Sequence, residues 1–251
     1  MPDLEILHHA DGLVAINKPH GLLVHRSLIA ADASEFAVQR LRDQLGQRVY
    51  PVHRLDRKTG GVLLFALTEA LNGTVQQAFA AGEVQKTYQA IVRGHTPADL
   101  IIDYPLRRME GNGLSDTYQE ARTHLRTVQH TEVPIALGKH PTSRYSLVEL
   151  TPETGRMHQL RRHMAHIMHP IIGDRPHGCN KQNRLFLSHF GMNTMLLHAL
   201  RLGLVHPETG QPISIEAPFQ DEFRRMLGTL FGGIAPLASA NGAVATFSRS
   251  A

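Results

Sequence analysis

Apolar positions recur along this chain with two periods. Leu13, Val14 and Ile16 alternate loosely within Gly12 to Asn17, predicting a strand that ends at Lys18-Pro19. From Ala33 to Leu45, Phe36, Ala37, Leu41 and Leu45 fall at helical spacing, and Gly46 closes the helix. Val62 to Leu67 is continuously apolar and reads as a buried strand. Glu69 to Ala81 is a second helix, ended by Gly82. Val84, Lys86, Tyr88, Ala90 and Val92 then alternate with their neighbours in a strand. A strand is predicted over Tyr145 to Leu150, a helix over Thr154 to Met168, a strand over Thr194 to Val205 and a helix over Phe219 to Leu230. His206-Pro207 with Thr209-Gly210 forms a hairpin turn. The Ala-, Gly- and Ser-rich stretch 232–251 has no clear period and reads as a frayed or disordered tail. Strands and helices mix without regular βαβ alternation, so the predicted class is α+β.

A chain of 251 residues supports one good core, or two halves around a cleft. Its 42% hydrophobic and 19% charged residues place it among globular proteins. No apolar run is long enough to span a membrane, and Met1 to Glu5 lacks the basic-then-apolar pattern of a signal peptide. A lone cysteine, Cys179, excludes an internal disulfide. Together these predict a soluble cytoplasmic protein. The formal charge of +4 and a pI near 9.5 are compatible with a polyanionic partner without requiring one. The 17 histidines could add positive charge near phosphates.

The densest chemistry lies in His53-Arg54-Leu55-Asp56-Arg57-Lys58-Thr59-Gly60-Gly61. One carboxylate, Asp56, stands among three cations, just ahead of a small-residue turn and a buried strand. That puts it on a loop held by a rigid element. Arg54, Arg57 and Lys58 should favour its ionised form, and an ionised carboxylate can act as a nucleophile. The same pattern also suits a surface turn with ordinary ion pairs. Tyr88 reads equally as a core tyrosine. The basic run Thr154 to His163 reads equally as a solvent-facing helix.

The Asp56 segment resembles the His-Arg-Leu-Asp-x-x-Thr-Ser-Gly signature of the RluA-type pseudouridine synthase family. It departs at Gly60, where the family usually has Ser, losing a hydroxyl that could bond the loop and gaining backbone freedom. Asn17-Lys18-Pro19-His20-Gly21 with His25 resembles the family's opening motif, read here as shaping the sheet edge and its loop. Lys86-Thr87-Tyr88 and Thr154-Gly155-Arg156-Met157-His158-Gln159-Leu160-Arg161-Arg162-His163 match two further motifs. His169 to Asp174 and Leu197-His198-Ala199 match family segments that need no chemical role.

The resemblance covers residues 4 to about 231. It implies a pseudouridine synthase fold: a long mixed, mostly antiparallel sheet in two halves, with helices and a central cleft. It implies a catalytic domain over 1–231, with no RNA-binding domain ahead of it and the tail 232–251 behind. The implied activity is conversion of uridine in RNA to pseudouridine, with no cofactor and no metal. Asp56 would be the nucleophile, Tyr88 would lie against a flipped-out base, and Arg161 would pair with the aspartate. Arg54 would fill the gap left in the RNA, with Arg57, Arg156 and Leu160 also at the RNA. Arg107, Arg108, Lys139, Arg144, Arg162 and Arg175 could grip phosphates near the cleft. His163, His166 and His169 recur every third residue but lack the intervening Glu of a zinc helix, and read as solvated or RNA-facing. Within the family the resemblance is closest to the branch that modifies uridine 65 of tRNA, through Pro141 to Leu150 and the uninterrupted His163 to His169 run. A ribosomal-RNA or dual-substrate enzyme is the alternative, and a monomer is expected. Two other classes stay open. A glycoside hydrolase would need a second carboxylate, such as Glu149 or Asp174. A non-catalytic RNA-binding module would not need Asp56 at all.

Overall fold

The computed structural model describes residues 3–25, 35–110 and 113–232. The start of the helix predicted from Ala33 and almost all of the predicted tail lie outside the described residues. In chain order the elements are β1 (Ile6–Ala10), β2 (Leu13–Lys18), α1 (Ala37–Leu45), β3 (Tyr50–Pro51), β4 (Gly60–Ala66), α2 (Glu69–Ala80) and β5 (Gln85–Arg93). Then come β6 (Asp99–Asp103), β7 (Leu106–Glu110), β8 (Gly113–Gln119), β9 (Arg122–Val133), β10 (Ser143–Pro152), α3 (Gln159–His166), α4 (Asn180–Phe190), β11 (Leu197–Val205), β12 (Pro212–Glu216) and α5 (Asp221–Phe231). The class is α+β, as the sequence predicts.

Ten strands form one sheet, ordered β1-β2-β4-β11-β5-β10-β9-β6, with β12 on β11 and β3 on β4. β7 and β8 form a separate hairpin. Every pairing in the large sheet is antiparallel except β4 with β11. That parallel pairing is short, covering only His198↔Gly60 and Ala199↔Gly61. The sheet is therefore two antiparallel halves stitched at a narrow seam. Asp56 sits four residues before the seam, on the loop that enters β4.

The central strands β2 and β4 are buried on both faces, which is why Val62 to Leu67 reads as an unbroken apolar run. Alternate residues serve opposite sides. Leu13, Ala15, Val62 and Leu64 pack under α2 through Leu71 and Val75, while Val14, Ile16, Leu63 and Phe65 pack under α1 through Ala37 and Leu41. In the other half, Ala90, Val92, Val148 and Leu150 meet Leu160 and Met164 of α3. Ile91, Tyr145 and Leu147 meet α4 and α5 through Phe186, Phe223 and Met226. β2 is flanked on both sides, so the opening motif lies at an interior strand and not at a sheet edge.

The predicted helix over Thr154 to Met168 begins five residues late, at Gln159. The Gln159 amide oxygen accepts from the Arg156 backbone N–H at 2.9 Å and bonds the Thr154 hydroxyl at 2.7 Å, holding the preceding residues in a turn. His158 then enters the left-handed region at φ 56°, which a helix cannot include. The last long strand starts at Leu197, not Thr194.

Candidate active site

The Asp56 loop is anchored from both sides. The Thr59 N–H donates to the Asp56 carbonyl at 3.0 Å and closes a turn. Lys18, fully buried, donates to the carbonyls of Pro19 at 3.1 Å, Leu22 at 2.9 Å and Arg57 at 3.2 Å. It ties the turn after β2 to the Asp56 loop. Burial draws this ammonium down to about 7, with Asp56 opposing the shift. On the other side the His53 Nε2 accepts the Leu64 N–H at 3.1 Å, and the ring stacks on Phe79 at 4.9 Å. Burial, then Lys86, lowers His53 to about 4, so it stays a neutral acceptor.

The cation that holds Asp56 is not one of its sequence neighbours. Arg57 donates through Nε to the Gly21 carbonyl at 3.1 Å, and Arg54 is exposed. Arg161, 105 residues away, donates through Nη1 to Asp56 Oδ2 at 2.7 Å. The rest of its fork is taken by Asp174, with Nε to Oδ2 at 2.7 Å and Nη2 to Oδ1 at 2.8 Å. Asp174 is 1% exposed and the Arg161 side chain 8%, so one guanidinium bridges a buried carboxylate and a cleft-facing one. A two-pronged bond to Asp174 fixes the fork, and the fork aims Asp56. His158 Nε2 stands 3.7 Å from Asp56 Oδ1, and its Nδ1 shares a hydrogen bond with His177 Nε2 at 3.0 Å. Burial lowers both rings, His177 to about 4.

Asp56 looks into a cavity of about 260 Å³ walled by Leu55, Phe79, Tyr88, Leu160 and Leu197. The strand register brings Tyr88 there. Tyr88 pairs with Ala199, which pairs with Gly61, five residues after Asp56. Burial and then Asp56 push the phenol well above its usual range, so it remains protonated at neutral pH and can donate but not act as a base. Arg54 and Arg156 also reach this cavity, Arg156 with its Nε on the Glu120 carbonyl at 2.9 Å. All the predicted site residues except Arg57 line it, and Arg57 lines a second cavity that adjoins it.

Other expectations fail for identifiable reasons. His163 is fully buried, with Nδ1 on Thr123 Oγ1 at 2.9 Å and Nε2 on the Tyr104 carbonyl at 3.0 Å, so it is neither solvated nor facing RNA. His166, by contrast, is exposed as expected and stacks on Tyr104, while His169 is half-buried and bonds the Arg93 carbonyl. Burial also lowers His20 and His198 to about 4, so many of the histidines cannot supply charge to a polyanion. Arg107, Arg108 and Arg144 make exposed ion pairs, with Asp116 at 2.8 Å, Glu110 at 3.5 Å and Glu132 at 3.0 Å, and none of the three lines the Asp56 cavity. Neither carboxylate suggested for a glycosidase lines the Asp56 cavity: Asp174 is 1% exposed and held by Arg161, and Glu149 pairs with Arg126 at 3.0 Å. The sequence reading missed Lys18, His158, Asp174 and His177. A lysine embedded in an apolar strand just before Pro19 was the available signal for Lys18.

Gly60 is present for space and not for loop freedom. A Cβ there would lie 2.7 Å and 2.8 Å from the His20 ring and 3.0 Å from Gln220 Cγ. Gly61 needs both properties, with φ +108° and a Cβ position 2.1 Å from the Ala199 carbonyl. The usual Ser at 60 and a histidine at 20 thus exclude each other. Gly60→Ser is expected to cost about 1–3 kcal/mol by overpacking. Adding His20→Ala should recover most of that. Denaturant midpoints of the two single variants and the double variant check it; strictly additive losses would disprove the coupling.

The family model described as RNA pseudouridylate synthase matches residues 12–166. A protein of Vibrio cholerae named tRNA pseudouridine synthase C is 47% identical over 231 residues, covering 89% of this chain and 94% of the relative. A Salmonella typhi protein of the same name is 46% identical, covering 91% and 90%. Among solved structures, human RNA pseudouridylate synthase domain containing 4 superposes with a TM-score of 0.66 at 27% identity, covering 89% of this chain and 91% of that one. Human RNA pseudouridylate synthase domain containing 1 gives 0.68 at 24% identity, covering 86% and 84%, and shares the fold.

Proposed function

We propose a tRNA substrate, modified at uridine 65, for this chain, which belongs to the RNA pseudouridylate synthase family and isomerises uridine in RNA to pseudouridine. The observation that carries the mechanism is the Arg161 guanidinium, locked on buried Asp174, which aims Asp56 into an apolar cavity beside Tyr88. The tRNA substrate is supported by relatives named tRNA pseudouridine synthase C that align over nearly the whole chain.

The reaction breaks the uridine N1–C1′ bond, turns the uracil and joins C5 to C1′; C5 gives up its proton to water and N1 takes one up, so the product is an isomer of the substrate. The target leaves its stack at a cost of a few kcal/mol. Tyr88 receives the base on its ring face, with Leu160 against it, and Arg54 fills the gap left behind. Asp56 attacks ribose C1′ or uracil C6, or takes the C2′ proton. In each role it acts as a carboxylate whose direction Arg161 sets and whose charge the apolar walls strengthen by excluding water. Arg57 and Arg156 meet the RNA at the cavity mouths. Among the described residues no helix is long and apolar enough to cross a membrane. Such an enzyme would meet its tRNA in the cytoplasm, acting as a monomer.

Tritium release from tRNA labelled at uracil C5 tests this reading. Release is expected from tRNA and not from the same tRNA carrying cytidine at position 65. Undiminished release from the position-65 variant would overturn the site. Release from ribosomal RNA alone would overturn the substrate.

A further inference from the structure

The second cavity, about 390 Å³, adjoins the base pocket, and the two share Arg54, Leu55, Asp56, His158 and Arg161. Its wall carries Arg57, Lys58 and Arg175. Among the described residues neither Lys58 nor Arg175 makes a hydrogen bond or ion pair, although Lys58 is half-buried. Asp56 and Asp174 bring two negative charges against the one positive charge of Arg161, so Lys58 and Arg175 together still exceed the one negative charge left over. Both Asp174 oxygens and one Asp56 oxygen are already held by Arg161. The wall therefore keeps a net positive charge toward an empty volume beside the reactive carboxylate. Burial and then Arg175 lower the Lys58 ammonium, with Asp174 opposing the shift. Crowding like charges is unfavourable unless an anion arrives to join them.

We infer that this cavity is a phosphate subsite, in which Lys58 and Arg175 bind the phosphodiester flanking the target uridine. The inference rests on the RNA-isomerase reading and adds a geometry to it. With the base in one cavity and a flanking phosphate in the adjoining one, the ribose between them lies at the carboxylate. A contact to a flanking, non-reacting phosphate is made alike in the ground state and the transition state, so it lowers KM and leaves kcat nearly unchanged. The phosphate chemistry could also be met by a free phosphate ion, so the test separates the two sources.

The experiment compares wild type, Lys58→Gln/Arg175→Gln and a charge-matched control, Arg201→Gln/Arg224→Gln, whose arginines pair with Glu216 and Asp221 at exposed positions outside both cavities. The substrates are tRNA and tRNA assembled with one neutral methylphosphonate linkage on either side of the modified uridine. The double variant should raise KM about tenfold or more, leave kcat within about twofold and flatten the log KM against log salt slope by one to two. The neutral linkage on one side should raise the wild-type KM similarly and add nothing in the double variant. An unchanged KM, or equal sensitivity of both proteins to the neutral linkage, would overturn the inference. Phosphorus NMR of inorganic phosphate reads the cavity without catalysis. Broadening by wild type and control but not by the double variant is expected, and equal broadening by all three would overturn the site. If phosphate binding and an unchanged tRNA KM occurred together, the occupant would be the free ion and the backbone assignment would fall. Wild-type protein that binds phosphate in this way yet releases no tritium from any RNA would overturn the isomerase reading and leave the anion site standing.

Discussion

Asp56→Asn should abolish turnover while leaving the protein folded and able to bind tRNA. The amide has the shape of the carboxylate, and its oxygen can still accept from Arg161 Nη1, so the loop keeps its geometry. Asp56 is 29% exposed, and Arg161 retains both bonds to Asp174, so no buried charge is orphaned. What disappears is the negative charge, and an amide can neither attack a carbon nor take a proton. Loss of an essential nucleophile costs on the order of 10³-fold or more in kcat. The tRNA Kd should change by less than about threefold, because phosphate contacts supply most of the binding. Single-turnover tritium release and filter binding on the same preparation check both halves. A variant that keeps its turnover would remove Asp56 from the chemistry. A variant that loses binding as well would make the aspartate a determinant of RNA affinity.

How much of this site was legible in the sequence depended on how local its physics is. The strand at Val62 to Leu67 and the helices over 69–80 and 221–231 announce themselves, because each buries a face that its own periodicity defines. β6 to β9 were not read, because their sides are largely exposed and only scattered residues such as Ile102, Thr123 and Leu125 are buried. α4 was missed because its sequence, Asn180 to Phe190, offers only Leu185 and Phe186 as deep anchors and has no side-chain N-cap. At the site, proximity along the chain misled. Arg57 and Lys58 adjoin Asp56 in sequence but face a different cavity, while the residue that orients the carboxylate arrives from α3. The family resemblance supplied Arg161, but nothing local indicated that Asp174 holds its other edge. Gly60 shows the same limit. Only the folded contact with His20 explains a departure that the motif alone left open.

The Arg161–Asp174 pair separates orientation from stability, and its variants should show the two diverging. Among the described residues, Arg161→Met removes the only group bonded to the Asp174 carboxylate oxygens apart from the His177 backbone N–H at 3.3 Å. Asp174 is 1% exposed, so its charge would be buried without a counter-ion, at a cost of about 3–5 kcal/mol. Asp56 would lose its donor in the same change, so turnover should fall together with the unfolding midpoint. Activity loss in that variant alone would therefore say nothing about orientation. Adding Asp174→Asn removes the buried charge, and replacing both members of a buried pair is often close to neutral. The double variant should recover most of the lost stability, read as a denaturant midpoint, yet stay at least about 10²-fold below wild type in kcat, because nothing then aims Asp56. Its tRNA affinity should remain near that of wild type. If turnover returned with the fold, the fork would be a structural brace and the Asp56 loop would orient its own carboxylate. If neither returned, Asp174 would contribute to the cleft through more than its charge, and the bonds that accept from the His177 backbone and the Asn183 side chain around that loop would be the next to cut.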